Sequence, residues 1–214
     1  LQLSSARDEV DEQRAWGFGE EDYALLDRAE TERRVGATDV LGGTYTPHCA
    51  AIHPARLVRS LAHTVARSGV TVHEHTRVRA IEPGVVRTDL GDVRAEVVVR
   101  ATEGYTRTLD GHTRTLAPVY SLMIATEPLR PDQWERIGLA ERETFADHRH
   151  LIIYGQRTAD GRLAFGGRGA PYHFGSRIDP AFDRDGAVFE ELRRVLIDLF
   201  PVLSDVEVTH RWGG

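Results

Sequence analysis

The most regular apolar pattern in the chain begins at residue 54 and follows the spacing of an α-helix. Its apolar positions are Leu57, Val58, Leu61, Ala62 and Val65. His53 can cap the first turn, Pro54 stands where a missing N–H costs nothing, and Gly69 follows where a left-handed C-cap belongs. The pattern predicts an amphipathic helix, and burial of each large side chain on its stripe would stabilise the fold by about 1.5–3 kcal/mol.

Strand-like alternation follows this helix as far as residue 99. The predicted strands are 70–75, 78–81, 85–88 and 93–99. Pro83 and Gly84 favour a turn between the second and third of them, and L-G-D separates the last two, which we expect to pair as a small β-meander. Residues 53–104 are thus predicted to form a helix, a strand, a hairpin and a further strand.

The run Val97-Val98-Val99 has the composition of a strand that is buried on both faces. It is followed by the small residues Ala101 and Thr102 and then by Gly104. Buried parallel strands of α/β folds often end in this way, where the backbone must come close to a ligand. This small-residue tip is therefore a candidate ligand-binding edge.

The rest of the chain is patterned as helices and antiparallel strands. Helices are predicted at 1–15, 20–35 and 187–199, and a glycine-rich loop at 41–52. Strands are predicted at 118–129, 150–155, 162–167 and 206–212. The second and third of these strands are expected to form a hairpin across T-A-D-G. The whole pattern predicts a mixed α/β fold of the α+β type, with an antiparallel sheet flanked by helices.

Composition limits the classes of partner that the chain can serve. Its 214 residues include 41% hydrophobic residues and carry a net charge of −6, which allows a folded core and argues against nucleic acid as the main partner. All basic residues are Arg, so the chain supplies no lysine for a Schiff base. Cys49 is the single cysteine, which excludes an internal disulfide and a multi-cysteine metal site. Because no apolar stretch approaches the roughly 20 residues of a membrane span, and because no signal-peptide pattern is present, we expect a cytoplasmic protein.

Two tyrosines are candidates for a ligand pocket. Tyr45 and Tyr154 each border glycine in an apolar setting, so each could point its hydroxyl into a cavity. The alternative for each is a core tyrosine whose hydroxyl reaches the surface. His73 and His75 share a predicted strand face, but no third ligand is near them in the sequence, and no metal site is predicted.

Taken in order, these segments resemble the flavin-dependent amine and amino-acid oxidoreductases, a family that includes glycine oxidase, D-amino-acid dehydrogenase and γ-glutamylputrescine oxidase. The resemblance covers most of residues 40–214. It is carried by L-G-G-T-Y-T-P-H-C-A-A-I-H-P, V-V-V-R-A-T, A-T-E-P-L, T-A-D-G-R-L-A-F-G-G and R-W-G-G. A-T-E-P-L and R-W-G-G are most similar to the putrescine-oxidase-like branch.

The resemblance implies a substrate domain formed by residues 1–52 and 111–214, and part of an FAD-binding domain formed by residues 53–110. The cofactor-binding residues that it implies are Val78, Ala101, Thr102, Gly104, Trp212, Gly213 and Gly214. Val78 would meet the adenine, the small-residue tip would lie against the dinucleotide, and the last three would lead to the flavin ring. Tyr154 and Tyr45 would bind substrate. Glu103 departs from the family, which prefers a small or neutral residue there, because a carboxylate beside a pyrophosphate is unfavourable.

The activity implied by the resemblance is oxidation of a C–N bond in a small-molecule amine or amino acid, with hydride transfer to FAD. The G-x-G-x-x-G motif with which the family begins does not occur in this sequence. We therefore expect an internal fragment of a longer enzyme, which by itself is inactive and binds FAD weakly or not at all. Two alternatives stay open: a non-catalytic binding or interaction domain derived from the substrate domain, and a flavin monooxygenase of the same two-domain plan.

Overall fold

The structure is a computed structural model that describes residues 2–149, 152–168, 172–175 and 177–214. The helices are α1 (Gln2–Ala15), α2 (Arg28–Arg34), α3 (Pro54–Arg67), α4 (Pro131–Ile137) and α5 (Gly186–Leu199). The strands are β1 (Ala24–Leu26), β2 (Gly43–Tyr45), β3 (Val78–Glu82), β4 (Val85–Thr88), β5 (Gly91–Arg94), β6 (Ser121–Thr126), β7 (Thr144–Ala146), β8 (Ile153–Arg157), β9 (Leu163–Arg168) and β10 (Val208–Gly213). Short 3₁₀ helices occupy Glu103–Thr108, Pro180–Arg184 and Pro201–Leu203. The predicted mixture of helices and antiparallel sheets is confirmed.

The chain divides into a larger and a smaller compact unit. The larger unit comprises Leu1–Ala51, Tyr120–Ala170 and Pro180–Gly214, and the smaller unit comprises Ile52–Val119 and Pro171–Asp179. Residues 111–119 thus group with the smaller unit, whereas the resemblance implied that they belong with residues 1–52 and 120–214 to the substrate domain.

The larger unit is built on a five-stranded antiparallel sheet with the strand order β10-β6-β9-β8-β7. One face of the sheet carries the hydrophobic core, and α5 packs against it through Leu192 and Leu196. The fully buried members of this core are Leu122, Ile124, Ile137, Leu139, Leu163, Phe165, Leu196, Phe200 and Leu203. The predicted helix at 187–199 is confirmed. Asp185 caps it by accepting hydrogen bonds from the backbone N–H groups of Ala187 and Val188.

The predicted helix at 20–35 is wrong in its first half. Asp27 accepts a hydrogen bond from the N–H of Glu30 and completes a capping box, so α2 can begin only at Arg28. Residues 24–26 instead form β1, which pairs with β2 inside the predicted glycine-rich loop. A strong local cap therefore overrides the helical spacing of the apolar residues that precede it.

In the smaller unit, the predicted helix α3 and a three-stranded meander β3-β4-β5 are confirmed. The third strand, β5, spans Gly91–Arg94 and begins inside the predicted L-G-D turn, whereas it was expected at 93–99. His53 caps α3 by accepting a hydrogen bond from the N–H of Arg56, and Gly69 has a φ of +86° just beyond its end. None of the residues of α3 is buried, and Leu57, Val58 and Leu61 are exposed. The amphipathic stripe of this helix is thus uncovered by the part of the chain that the structure describes.

The prediction that Val97, Val98 and Val99 form a doubly buried strand is wrong. Val97 is 77% exposed and Val99 is 81% exposed, and neither lies in a strand. The partner strand β4 begins at Val85, which pairs with Arg94, so the meander offers no backbone to residues 96–99. Since a strand requires a neighbour that satisfies its N–H and C=O groups, the apolar composition of the run does not suffice.

The strand predicted at 70–75 is also wrong. Val70 and Val72 are exposed, and His75 adopts a left-handed conformation with a φ of +52°, which interrupts an extended backbone. The strand predicted at 150–155 begins at Ile153, and residues 150 and 151 lie outside the described residues. At residues 70–75 and at residue 152, residues with the two-residue alternation of a strand do not form strand pairs with the described residues.

Candidate active site on the open face of the sheet

One residue from each of four neighbouring strands lies in a single row across the larger unit's sheet. The antiparallel register pairs Tyr154 with Gly166, Gly166 with Met123, and Met123 with Trp212. Because successive residues of a strand point to opposite faces, and paired residues share a face, these four belong to one side of the sheet.

This row lies on the face opposite to the hydrophobic core. Leu122 and Ile124, which flank Met123 in β6, are fully buried in the core. Gly167, which follows Gly166, approaches Leu192 of α5. We call the opposite side, marked by Ser121, Met123, Tyr154, Gly166 and Trp212, the open face. Trp212 is 41% exposed there, while Met123 and Tyr154 are half-buried.

Two hydroxyl groups meet on the open face. The Tyr154 hydroxyl and Ser121 Oγ form a short hydrogen bond, in which either oxygen can donate. The backbone of the same serine pairs with Gly214: its N–H donates to the carbonyl of Gly214 at 2.9 Å, and its carbonyl accepts from Gly214 N–H at 3.2 Å. Tyr154, Ser121 and Gly214 are therefore fixed beside one another by the sheet ladder and by side-chain contact.

Gly213 occupies a position where backbone segments approach closely. A Cβ atom there would lie 3.0 Å from Cα and 3.2 Å from Oδ1 of Asp183. Asp183 Oδ1 is buried and has no hydrogen-bond partner among the described residues. The glycine at this position is thus explained by packing against the Pro180–Arg184 turn.

Tyr45 does not lie on the open face but lines a cleft elsewhere in the larger unit. This cleft of about 800 Å³ is lined by α1, α2, β1, β2 and β7, and its lining includes Glu9, Tyr23 and His148. The Arg34 guanidinium carbon stands 4.0 Å from the centroid of the Tyr45 ring, a cation–π contact. Tyr45 and Tyr154, the two substrate candidates of the sequence, are therefore brought to separate surfaces.

Charged groups in the Tyr45 cleft form a linked set. The Tyr23 hydroxyl donates to Glu9 Oε1 at 2.6 Å, and His148 Nε2 stands 3.4 Å from Glu9 Oε2. Burial, and then the hydrogen bond to Glu9, raise the pKa of Tyr23 above its ordinary 10.0. The tyrosine is consequently held as a neutral hydroxyl that donates to a carboxylate.

The four cofactor-binding candidates of the smaller unit lie at the two ends of residues 78–104. Val78 opens β3 and pairs with Thr88, while Ala101, Thr102 and Gly104 lead into the Glu103–Thr108 turn. The Thr102 and Thr106 hydroxyls are 2.8 Å apart. After this turn, Asp110 N–H donates to the carbonyl of Arg79 at 3.0 Å, which ties the segment to β3.

Glu103, the residue that departs from the family pattern, turns back onto its own backbone. It has a φ of +39°, and its carboxylate accepts a hydrogen bond from Gly104 N–H. The Gly104 N–H group at the small-residue tip is thus already bonded to a carboxylate. No group of three His, Cys, Asp or Glu side chains within the described ranges is placed to hold a metal ion.

The fold is that of a mixed α/β protein whose antiparallel sheet has one helix-covered face and one open face. A family model described as "FAD dependent oxidoreductase" matches residues 1–214, and the chain belongs to that family. It is 31% identical over 202 residues to a probable oxidoreductase, OrdL, of Rhizobium meliloti (strain 1021), covering 92% of this chain and 44% of that protein. It is 32% identical over 203 residues to gamma-glutamylputrescine oxidoreductase of Escherichia coli (strain K12), covering 92% of this chain and 45% of that protein.

Solved structures agree on the fold. Glycine oxidase from Bacillus cereus ATCC 14579 superposes with a TM-score of 0.74 at 20% identity, covering 100% of this chain and 56% of that one. L-Proline dehydrogenase from P. horikoshii superposes with a TM-score of 0.72 at 18% identity, covering 90% of this chain and 52% of that one. The chain therefore spans about half the length of the proteins that it matches.

The residues on the open face of the larger unit suit contact with a flavin ring, whereas Glu103 and Gly104 of the smaller unit do not suit its phosphates. On the open face, Trp212 and Met123 are paired across β10 and β6 and place apolar side chains side by side, which suits contact with an aromatic ring system. Gly104 N–H does not suit a phosphate, because the Glu103 carboxylate occupies it and would repel a second anion.

Ser121, Met123 and Gly166 are site residues that the sequence reasoning missed. The stretch S-L-M-I-A-T has the composition of a strand, but Met123 is as apolar as Leu122 and Ile124 beside it, so no polar–apolar alternation marks its face. The sequence also leaves open which strands are neighbours, and only the register brings these residues to Tyr154.

Proposed function

We propose that the whole protein containing this chain is an FAD-dependent oxidoreductase that oxidises a C–N bond of an amine or amino acid. The observation that carries the proposal is the row of Tyr154, Gly166, Met123 and Trp212 on the open face. Family membership and the likeness to oxidoreductases that act on such compounds, by their names, support it.

The two parts of the chain have different roles in this proposal. Residues 1–52 and 111–214 form the substrate domain, and residues 53–110 contribute part of the FAD-binding domain. The uncovered apolar positions of α3 and of residues 97–99 support the second assignment, because exposed stripes of this kind mark surfaces that pack against further polypeptide. Val78, Ala101 and Thr102 would approach the dinucleotide, and Trp212, Gly213 and Gly214 would approach its ring.

The open face would orient a substrate and exclude water. Bound FAD would supply the hydride acceptor. The Tyr154 and Ser121 hydroxyls can donate to a carboxylate, and they can donate to or accept from a neutral amine, while Met123 and Trp212 offer apolar contact to the carbon chain. Removing a hydride from a neutral amine requires orientation and a dry surface more than acid–base groups, which agrees with the uncharged character of the row.

No helix among the described residues is long and apolar enough to cross a membrane. A cytoplasmic location is part of the proposal and is supported by the single, exposed Cys49, since a reducing compartment requires no disulfide. Tyr45 remains a second substrate-binding candidate in its own cleft.

A panel of amines and amino acids, added to the full-length protein without oxygen, tests the proposal. We expect loss of the oxidised flavin absorption band with at least one amine and retention of the band with the matched alcohol. Bleaching by NADPH in the absence of any amine would refute amine oxidation and favour the monooxygenase alternative.

A non-catalytic binding domain is favoured by one observation, the Glu103 carboxylate on Gly104 N–H. If that contact blocks the dinucleotide, the full-length protein would purify colourless and Glu103→Gly would restore a flavin spectrum. For the 214-residue chain by itself we expect a colourless preparation, and a stoichiometric flavin band would contradict that expectation.

A further inference from the structure

The side chains of Tyr154 and Met123 close over Gly166 from the two neighbouring strands. A Cβ atom at Gly166 would lie 2.7 Å from Met123 Cγ and 2.8 Å from Tyr154 Cε2. Both distances are too short for carbon atoms, so any side chain at this position forces one or both neighbours to move.

The backbone does not by itself require glycine at this position. Gly166 lies within β9, and its φ is outside the left-handed region that favours glycine. A glycine inside a strand weakens the strand unless another group must come close to its backbone. Space for the two side chains is therefore the physical reason for this glycine.

The next residue provides an internal comparison. A Cβ atom at Gly167 would lie 3.1 Å from the carbonyl oxygen of Ile152, 3.2 Å from Leu192 Cδ2 and 3.3 Å from Ile153 Cγ2. Those contacts are on the core face, beneath α5. The two adjacent glycines thus make room on opposite faces of one strand.

We infer that Gly166 is a positioning residue of the substrate site, whose missing side chain sets where Tyr154 and Met123 stand on the open face. This inference rests on the proposed function. An alanine at this position lifts the Tyr154 ring or the Met123 side chain away from the sheet. The displacement separates the Tyr154 hydroxyl from Ser121 and narrows the space above the row, which weakens substrate binding more than it weakens the fold.

The chain contains a single methionine, which makes Met123 a direct probe. The 214-residue chain, labelled with ¹³C at its methionine methyl groups, gives one resonance from this residue, apart from that of an added initiator methionine. We expect Gly166→Ala to shift the Met123 resonance, and Gly167→Ala to lower the thermal midpoint with the Met123 resonance unchanged.

The full-length enzyme provides the second measurement. For an amine that reduces the flavin, we expect Gly166→Ala to raise KM about tenfold, comparable to the effect of one methyl group in an apolar pocket. We expect Gly167→Ala to leave KM unchanged. Adding Met123→Ala to Gly166→Ala removes the nearest clash. The KM of this double variant should therefore lie closer to that of Met123→Ala alone than to that of Gly166→Ala. The double variant also supplies a folded comparison if Gly166→Ala is unstable.

An unchanged Met123 resonance and an unchanged KM in Gly166→Ala would overturn the inference, as would equal effects of the two glycine substitutions. If no amine reduces the wild-type flavin, the proposed function fails. The Met123 resonance still tests, independently of that result, whether Gly166 sets the positions of the Met123 and Tyr154 side chains.

Discussion

Thr126 provides the sharpest test of how the central strands of the sheet are joined. Its side chain is at the end of β6, and the residue is 1% exposed. Thr126 Oγ1 accepts a hydrogen bond from the backbone N–H of Leu163 at 3.0 Å and donates to the carbonyl of Glu127 at 2.7 Å. The side chain thus continues the β6–β9 ladder one residue beyond its last backbone pair.

Thr126→Val keeps the shape of the side chain and removes the hydroxyl. Leu163 is fully buried, so no water can replace the lost acceptor of its N–H group. A buried donor left without a partner costs about 1–3 kcal/mol. For a chain of this size, each kcal/mol lowers the thermal midpoint by about 2–4 °C.

Thr126→Ser is the matched control, because it keeps the hydroxyl and loses one methyl group, worth about 0.8 kcal/mol. Urea unfolding followed by circular dichroism should rank the proteins as wild type, serine variant and valine variant in falling stability. Amide hydrogen exchange should accelerate most at Leu163 in the valine variant. A valine variant as stable as wild type, or more stable than the serine variant, would refute the reasoning.

Two further predictions concern a close approach of two backbone segments and a half-buried hydroxyl. Gly138 has a φ of +81°, and a Cβ atom there would lie 2.4 Å from the carbonyl oxygen of Arg34, so Gly138→Ala should lower the urea midpoint markedly. Gly161 has a φ of +78° and open space around it, so Gly161→Ala should lower the free energy of unfolding only by the backbone strain of about 1 kcal/mol. Equal losses of stability in the two alanine variants would contradict the clash at Gly138. Because the pKa of Tyr23 is raised in the fold, the folded state holds the phenolic proton more tightly than the unfolded chain does, and stability should fall as the pH rises above 10.0. Thermal midpoints across this range should fall less in Tyr23→Phe, and parallel profiles would contradict a raised pKa of Tyr23 in the folded state.

Local signals in the sequence determined the helices with strong caps. His53, Pro54 and Gly69 bracket α3, and Asp185 begins α5, because capping groups and special backbone conformations act within one turn of the chain. The meander of β3, β4 and β5 is readable for the same reason, since its turns are short and its partners are adjacent in sequence. The resemblance over most of residues 40–214 also pointed to the family that the match over residues 1–214 confirms.

Strand pairing over long separations was not readable. Val97 and Val99 have the composition of a buried strand, yet the meander ends at Arg94 and leaves them exposed. Residues 24–26 follow a helical spacing, yet the cap at Asp27 and pairing with β2 make them a strand.

The sequence by itself thus determined the ends of α3 and the start of α5, the short-range hairpins, the family and the candidacy of Tyr154 and Trp212. Only the tertiary structure decided that those two share a row with Met123 and Gly166, and that Tyr45 belongs to another cleft. The physical reason is that caps and turns depend on neighbouring residues, whereas the face that a strand residue shares with another strand depends on register, which is fixed by packing between distant segments.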